Sequence, residues 1–437
     1  MLGCDRGLAL GELGTAMKHR GISTTHTAVL LAGLAACGVC SAPALAQDTW
    51  PKWPGSAYAS NNDSTDRAFV KEWEAAPPKG FATLSSANIA ATKAAIARYQ
   101  AIVAHGGWRP IPEVKLQQGS SDPAVLLLRA RLQVSGDLQE QGMSQSFDFY
   151  VDKAVKRYQA SNGLAPTGVV DKYTVAALNV PAASRLKQLQ LNLTRLAEHS
   201  KAAAKKYVVV NIPAAQIEAV ENGQVVSRHS GVVGKIDRPT PLLKSAIHEL
   251  NFNAVWHLPP TVIEQDLIPK GQDMARRGQS VLDKFHIDAY GGDGKKLDPT
   301  RVNWSSPTAK SLTYKQQPGP DNPLGFVKIN FNNVHSVYMH DTPSQSLFGR
   351  NFRAASSGCV RVSGIEQLAA WLTAEQGWKP EHIKQMKETG ERLDLKLKKP
   401  VPLYFVYVTA WATEDGVVQF RRDLYAKDGI GQAAAAY

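Results

Sequence analysis

Near residue 206 the sequence changes period, so the chain must hold at least two kinds of folded unit. Before that point apolar residues recur three and four apart, the spacing of one helix face: Ile89, Ile96, Tyr99 and Val103, then Val125, Leu128 and Leu132, then Val151, Ala154, Val155 and Tyr158. After it, Tyr207-Val208-Val209-Val210-Asn211-Ile212-Pro213 is β-rich, Gln216 to Val220 alternates, and Asn222-Gly223 marks a hairpin turn before Gln224-Val225-Val226. A chain of 437 residues exceeds one typical domain. An α+β multidomain fold follows, with a mostly antiparallel β domain after the helical part.

The helical part divides further. Residues 86–104 read as a helix ended by Gly106-Gly107, within an N-terminal helical scaffold segment spanning 47–115. In residues 116–181, Asp122-Pro123 opens one helix, a second carries Val151 to Tyr158, and Gly163, Gly168 and Asp171 turn the chain into a third ending near Leu178. Three short helices make a small bundle. With Asn162-Gly163-Leu164, Thr167-Gly168-Val169-Val170-Asp171 and Thr174-Val175-Ala176-Ala177-Leu178-Asn179, it resembles a peptidoglycan-binding module. A linking helix from about Ser184 to Lys205, within residues 182–206, joins it to the β region.

Further strands are expected at Ser230–Val233, His248–Asn253, Phe326–Phe331, Val334–Met339 and Leu403–Ala410, giving a β domain over 207–410 and a C-terminal segment at 411–437. Between Trp256 and about Leu324, Pro259-Pro260, Gly291-Gly292 and Pro318-Gly319-Pro320 interrupt the pattern for longer than a plain connection. This is expected to be a capping insertion that shapes a site.

At the other end, Lys18, His19 and Arg20 precede an apolar run from Ala28 to Val39, then Ala42-Pro43-Ala44-Leu45-Ala46. This reads as an export signal over 1–46, starting at Met1 or Met17 and sending the protein to the periplasm. Cys37 offers a lipid-attachment point, and membrane association is expected only if it is lipidated. The 50 Lys and Arg against 38 Asp and Glu, a net charge of +12, favour an anionic partner. No basic run interleaves with aromatics, so nucleic acid is not expected.

Cys359 carries the chemistry. The other three cysteines, Cys4, Cys37 and Cys40, fall inside the signal, so the exported chain keeps one thiol, which cannot form an internal disulfide. It stands in Ser356-Ser357-Gly358-Cys359-Val360-Arg361, a polar approach suited to a reactive group. His340, at the end of the expected strand Val334–Met339, is the candidate base, because an adjacent imidazole can draw a thiol into a thiolate–imidazolium pair. His335 would face the other side of that strand. The N–H groups of Gly358 and Cys359 are placed to hold a developing oxyanion. Arg361 would bind a substrate carboxylate or brace the turn. Ser363 and Glu366 form a capping box for a helix bearing Ile365, Leu368, Ala369 and Leu372, which puts Cys359 in a turn just ahead of that helix. No His-x-x-x-His or Cys-x-x-Cys spacing suggests a metal, and no cofactor is expected.

The segments His340-Asp341-Thr342-Pro343, Ser346-Leu347-Phe348 and Ser356-Ser357-Gly358-Cys359-Val360-Arg361 resemble the active-site signature of the L,D-transpeptidases. The likeness extends to Val233-Gly234-Lys235, Asp237-Arg238-Pro239-Thr240-Pro241, Trp256, Pro259-Pro260 and Gln316 to Asn322, and is greatest to the large periplasmic subgroup with a capping insertion. It implies that Cys359 attacks the third-residue carbonyl of a tetrapeptide stem, expels terminal D-alanine, and passes the acyl group to an amine on a neighbouring stem. His340 would serve as base and acid, oriented by the Asp341 carbonyl, and carbapenems would acylate the cysteine. Peptidoglycan stem peptides and glycan strands are the implied partners. Where many members carry Ser-His-Gly before the cysteine, Ser357 takes the histidine's place. Gly358, Ser357, Arg361, Asp341 and Tyr338 complete the candidate oxyanion and substrate-binding set. The same thioester resolved by water would make a carboxypeptidase or peptidase, and the module and charge alone would suit a non-catalytic wall-binding protein.

Overall fold

The computed structural model describes residues 81–139, 142, 144–201 and 204–430. The expected signal segment, Cys37 and residues 47–80 lie outside the described residues, as do residues 431–437 of the C-terminal segment.

The helical part forms α1 (Ala87–Ala104), α2 (Ala124–Ser135), α3 (Phe149–Ser161), α4 (Lys172–Leu178) and α5 (Ala182–Ser200). Asp148 caps α3 by accepting from the N–H groups of Tyr150 and Val151, and Asp171 caps α4 by accepting from Thr174. The expected stripes of α2 and α3 merge into one core of Val125, Leu128, Leu132, Val151, Val155, Tyr158, Val170 and Leu178, whereas Tyr99 of α1 packs elsewhere. The linking helix stops at Ser200, short of the expected Lys205.

The β region contains β1 (Lys206–Asn211), β2 (Gln216–Glu221), β3 (Gln224–Gly234) and β4 (Leu243–Phe252). Asn222 and Gly223 both take positive φ, 52° and 78°, as a two-residue hairpin turn requires. The insertion follows: β5 (Trp256–His257), α6 (Pro260–Val262), a π-turn at Ile263–Leu267, α7 (Ile268–Arg276), α8 (Val281–Lys284), β6 (Ile287–Tyr290), α9 (Thr308–Ser311) and β7 (Thr313–Gln316). Then come β8 (Val327–Phe331), β9 (Met339–His340), β10 (Ala354–Ser356), β11 (Val360–Val362), α10 (Ile365–Thr373), α11 (Pro380–Thr389), β12 (Leu393–Val406), β13 (Ala410–Ala412) and β14 (Val418–Phe420).

The main sheet runs β10-β3-β11-β9-β8-β4-β12-β1-β2, and β2 pairs with β3 as well, so the order returns to its start. Antiparallel pairs predominate, with three parallel ones, β1–β12, β3–β10 and β9–β11. One face buries Val208, Val210, Ile247, Leu250, Val327, Ile329 and Leu403 beneath Ile365, Leu368, Ala369 and Leu372 of α10. The insertion, which the sequence presents as irregular, is a three-stranded sheet, β5-β7-β6, with its own core around Leu267, Phe285, Trp304 and Tyr314. It leaves the main sheet after β4 and returns before β8, which pair with each other at Phe252 and Val327; the Asn253 N–H donates to the Phe326 carbonyl at 2.7 Å. The hairpin β13–β14 packs on α1 and α5 through Tyr99, Leu189, Ala410 and Phe420. At the seam between module and sheet, the Ala165 N–H donates to Asn351 Oδ1 at 2.7 Å.

Three expectations are corrected. Residues 334–338 are not a strand: Asn333 Oδ1 accepts from the N–H groups of His335 and Val337, its amide donates to the carbonyls of Phe331 and Val337, and Ser336 takes φ 54°. This side-chain turn competes with strand pairing, leaving Val334 exposed and placing His335 in the turn. His340 therefore lies within a two-residue strand, not after a long one. The Ser363–Glu366 capping box is absent, because Gly364 at φ 55° starts α10, the Ser363 carbonyl is held by His229, and Glu366 pairs with Lys387. Finally, β11 stands between Cys359 and that helix.

His229 locks β3 to this junction, with Nε2 on Ser227 Oγ and Nδ1 on the Ser363 carbonyl, and burial lowers its pKa to about 4. The unfolded chain takes up a proton there near pH 6.5 while the folded chain resists it, so this contribution is complete above pH 6.5 and is lost as pH falls toward 4. We expect about 3 kcal/mol of acid lability from this residue. Urea unfolding at pH 7 and pH 4.5 should show His229→Gln losing less stability on acidification than the parent; equal losses would contradict the assignment.

Candidate active site

The parallel pairing of β9 with β11 sets the site, with Met339 opposite Val360 and His340 opposite Arg361. Side chains alternate along a strand, so Met339 and Val360 enter the core while His340 and Arg361, with Tyr338 and Cys359 one step earlier, share the other face. Cys359 and His340 therefore lie on one face of neighbouring strands. Lys328 of β8, in register with His340, joins them.

Cys359 is a free thiol with partial solvent access. Burial pushes its pKa up; the Tyr338 N–H and hydroxyl, which hydrogen-bond the sulfur, and the charges of Lys328 and Arg361 act the other way. Tyr338 also meets the insertion. Its hydroxyl accepts from Trp256 Nε1 at 2.9 Å, its ring packs on the core of the insertion, and burial raises its pKa well above the usual value. It is the point where the insertion meets the thiol.

His340 is buried, with its ring 5.6 Å from that of Tyr338. Its Nδ1 meets the Asp341 carbonyl at 2.5 Å. A carbonyl only accepts, so Nδ1 carries the proton and Nε2 is the basic nitrogen. Burial, then the Arg361 guanidinium, drive the pKa down to about 3. The resting imidazole is neutral, which corrects the expected thiolate–imidazolium pair: the sulfur's hydrogen-bond partner here is Tyr338. Asp341 serves through its main chain, while its carboxylate accepts from the Phe326 N–H at 3.1 Å and is raised in pKa by burial.

The turn before the cysteine is held on several sides. Gly358 takes φ 110°, its carbonyl accepts from Thr240 Oγ1 at 2.8 Å, and its N–H donates to Ser356 Oγ at 3.2 Å. That N–H is engaged, so the expected oxyanion role would require it to change partner. Ser356 Oγ also donates to the Cys359 carbonyl at 2.5 Å. Ser357 Oγ accepts from Arg238 Nη1 at 2.9 Å, and the same guanidinium pairs with buried Asp266 at 3.0 Å. Asp266 lies in the π-turn of the insertion, a helix irregularity often found at functional sites. Arg361 is 6% exposed with Nε unpartnered and a pKa lowered by burial to about 10.

Sequence reasoning therefore missed Lys328, Arg238 and Asp266 as parts of the site. Lys328 and Asp266 lie in segments with no motif of their own. Arg238 was visible in Asp237-Arg238-Pro239-Thr240-Pro241, but its partners come from distant segments.

Residues 205–401 match the family model described as the L,D-transpeptidase catalytic domain, and residues 121–178 match that of the "Putative peptidoglycan binding domain". A Haemophilus influenzae protein named "Putative L,D-transpeptidase" is 29% identical over 221 residues, which cover 51% of this chain and 44% of that protein. The match thus spans less than half the relative's length. Among solved structures, an L,D-transpeptidase from Xylanimonas cellulosilytica is similar at 15% identity with a TM-score of 0.24, covering 68% of this chain and 100% of the other. One from Mycobacterium smegmatis is similar at 14% identity and 0.21, covering 47% and 59%. Residues 205–401 are thus similar to the L,D-transpeptidase catalytic domain, and residues 121–178 to a peptidoglycan-binding domain.

Proposed function

We propose that the protein is an exported peptidoglycan L,D-transpeptidase that works in the periplasm, cross-linking stem peptides through a Cys359 thioester. The observation that carries this reading is the shared face of β9 and β11, which brings a free thiol, a neutral imidazole and a tyrosine hydroxyl together beneath the insertion. In the first step His340 Nε2 takes the thiol proton as the sulfur attacks the carbonyl before terminal D-alanine, forming a tetrahedral oxyanion. Tyr338, aimed at the sulfur and steadied by Trp256, donates to that developing charge. The imidazolium then protonates the departing amine, and the C–N bond breaks to leave the thioester. An amine from a second stem repeats the sequence in reverse, returning the proton through His340 to the sulfur.

A neutral base suits this order of events. Low-dielectric surroundings disfavour the charge pair in the resting site, so the proton moves to His340 only as the sulfur attacks and Tyr338 receives the developing oxyanion. The peptidoglycan-binding domain would hold glycan strands near the site, with the basic net charge drawing the chain to an anionic wall.

Incubation with a disaccharide-tetrapeptide and mass analysis of the products tests the reading. A dimer less one D-alanine is expected; a tripeptide alone would instead indicate hydrolysis. Cys359→Ala should abolish both products while wall binding by residues 116–181 persists, and unchanged turnover in that variant would end the proposal. Carbapenem acylation of Cys359 should vanish in the same protein.

The pH dependence gives an independent check. His340 must be unprotonated to accept the thiol proton, and its pKa is lowered to about 3, so activity should persist as pH falls below 6.5. The acid side of the kcat/KM profile should stay flat between pH 5 and 7. A tenfold loss across that interval, centred near 6.5, would show that the base is an ordinary exposed imidazole.

A further inference from the structure

We propose that Lys328 is the carboxylate anchor of the site, holding the terminal carboxylate of the residue expelled when Cys359 is acylated. The proposal rests on the transpeptidase reading and adds the group that lets the enzyme recognise a donor by its C-terminus.

Lys328 projects from β8 on the face that carries His340, Tyr338 and Cys359, and its Nζ sits 4.5 Å from the centre of the Tyr338 ring. Tyr338 in turn bonds the sulfur, so one side chain separates the ammonium from the nucleophile. Two acids lie along the same face, Glu249 and Asp394, yet neither pairs with Lys328. Glu249 Oε1 accepts from the Asn251 amide at 2.8 Å and the Asn330 amide at 3.4 Å, and Asp394 Oδ1 accepts from Asn251 at 2.7 Å. Lys328 makes no ion pair or hydrogen bond among the described residues, although it is half-buried and burial lowers its pKa against the more distant charges of Glu249 and Asp394. A half-buried ammonium without a counter-ion is costly unless a ligand supplies one.

The chemistry at Cys359 supplies one in the right place. In a donor that ends one residue past the attacked carbonyl, the terminal carboxylate lies one residue length, ~3.8 Å between Cα atoms, beyond the scissile bond. Its holder must therefore stand beside the nucleophile. Arg361 is the other cation there, but at 6% exposure and directly opposite His340 it acts on the imidazole, adding to the positive field that favours an anion. Lys328 retains the access that Arg361 lacks. The ammonium would hold the carboxylate during attack and release it with the amino acid, so the acceptor amine, which needs no carboxylate at that point, meets an open subsite.

The test compares a disaccharide-tetrapeptide with its C-terminal carboxamide, using the full-length protein and Lys328→Gln and Lys328→Arg variants, with Cys359 acylation read by mass and kcat/KM by D-alanine or D-alaninamide release. The parent should prefer the acid. Lys328→Gln should lose roughly tenfold to a hundredfold on the acid, as for a lost charge-assisted hydrogen bond, with the amide little changed, so that discrimination collapses; Lys328→Arg should restore it. An equal loss on both substrates would place the ammonium's action on the sulfur and overturn the anchor, as would unchanged discrimination in Lys328→Gln. If the parent forms no thioester with the acid, the transpeptidase reading itself fails and the anchor with it.

Discussion

Two hydrogen-bonded residue pairs between β9 and β11 organise everything that the site contains. Each strand is very short, Met339–His340 and Val360–Val362, yet the register fixes which side chains face the core and which face the cap. A slip of one residue would send Cys359 and His340 into the core and bring Met339 and Val360 out. The register is defended from below, because Met339, Val360 and Val362 are fully buried. It is defended from above by the ties on the Ser356–Cys359 turn, through Thr240, Ser356 and Arg238. Core packing and catalytic geometry are two aspects of one constraint.

The charge distribution around the sulfur follows from that arrangement. Tyr338, His340 and Arg361 are enclosed together, and the low dielectric raises the cost of any isolated charge among them. His340 yields by staying neutral, whereas Arg361 cannot discharge and keeps its cation with Nε unsatisfied. The cations Arg361 and Lys328 therefore give the surroundings of the sulfur a positive potential, the condition in which a thiolate and then an oxyanion are best received.

Much of this was legible in the sequence. The stripes of α2 and α3, the turn at Asp171 and the Asn222-Gly223 turn work through local rules, so they read correctly from residues alone. Cys359 and His340 stood out because the chemistry of a lone thiol beside a histidine motif is specific. What failed failed for lack of partners: the run Val334–Met339 has strand composition, but the Asn333 side chain captures its backbone, and Ser363 with Glu366 fits a capping box that Gly364 and Lys387 pre-empt. Lys328 and Asp266 acquire meaning only from residues far away in sequence. The neutral state of His340 likewise depends on burial and on Arg361, neither visible in a motif.

The insertion enters and leaves the main sheet through a single doorway. Its two ends are clasped by β4 and β8, which pair with each other at Phe252 and Val327, and by the bond from Asn253 to Phe326. Everything between those ends folds on a private core and meets the surroundings of the thiol through Trp256 on Tyr338 and Asp266 on Arg238. Lengthening or reshaping such a cassette adds little closure entropy and leaves the strand pair in place. New substrate preferences can thus arise by rewriting the cassette alone, while the thiol, the imidazole and the strands beneath them stay as they are.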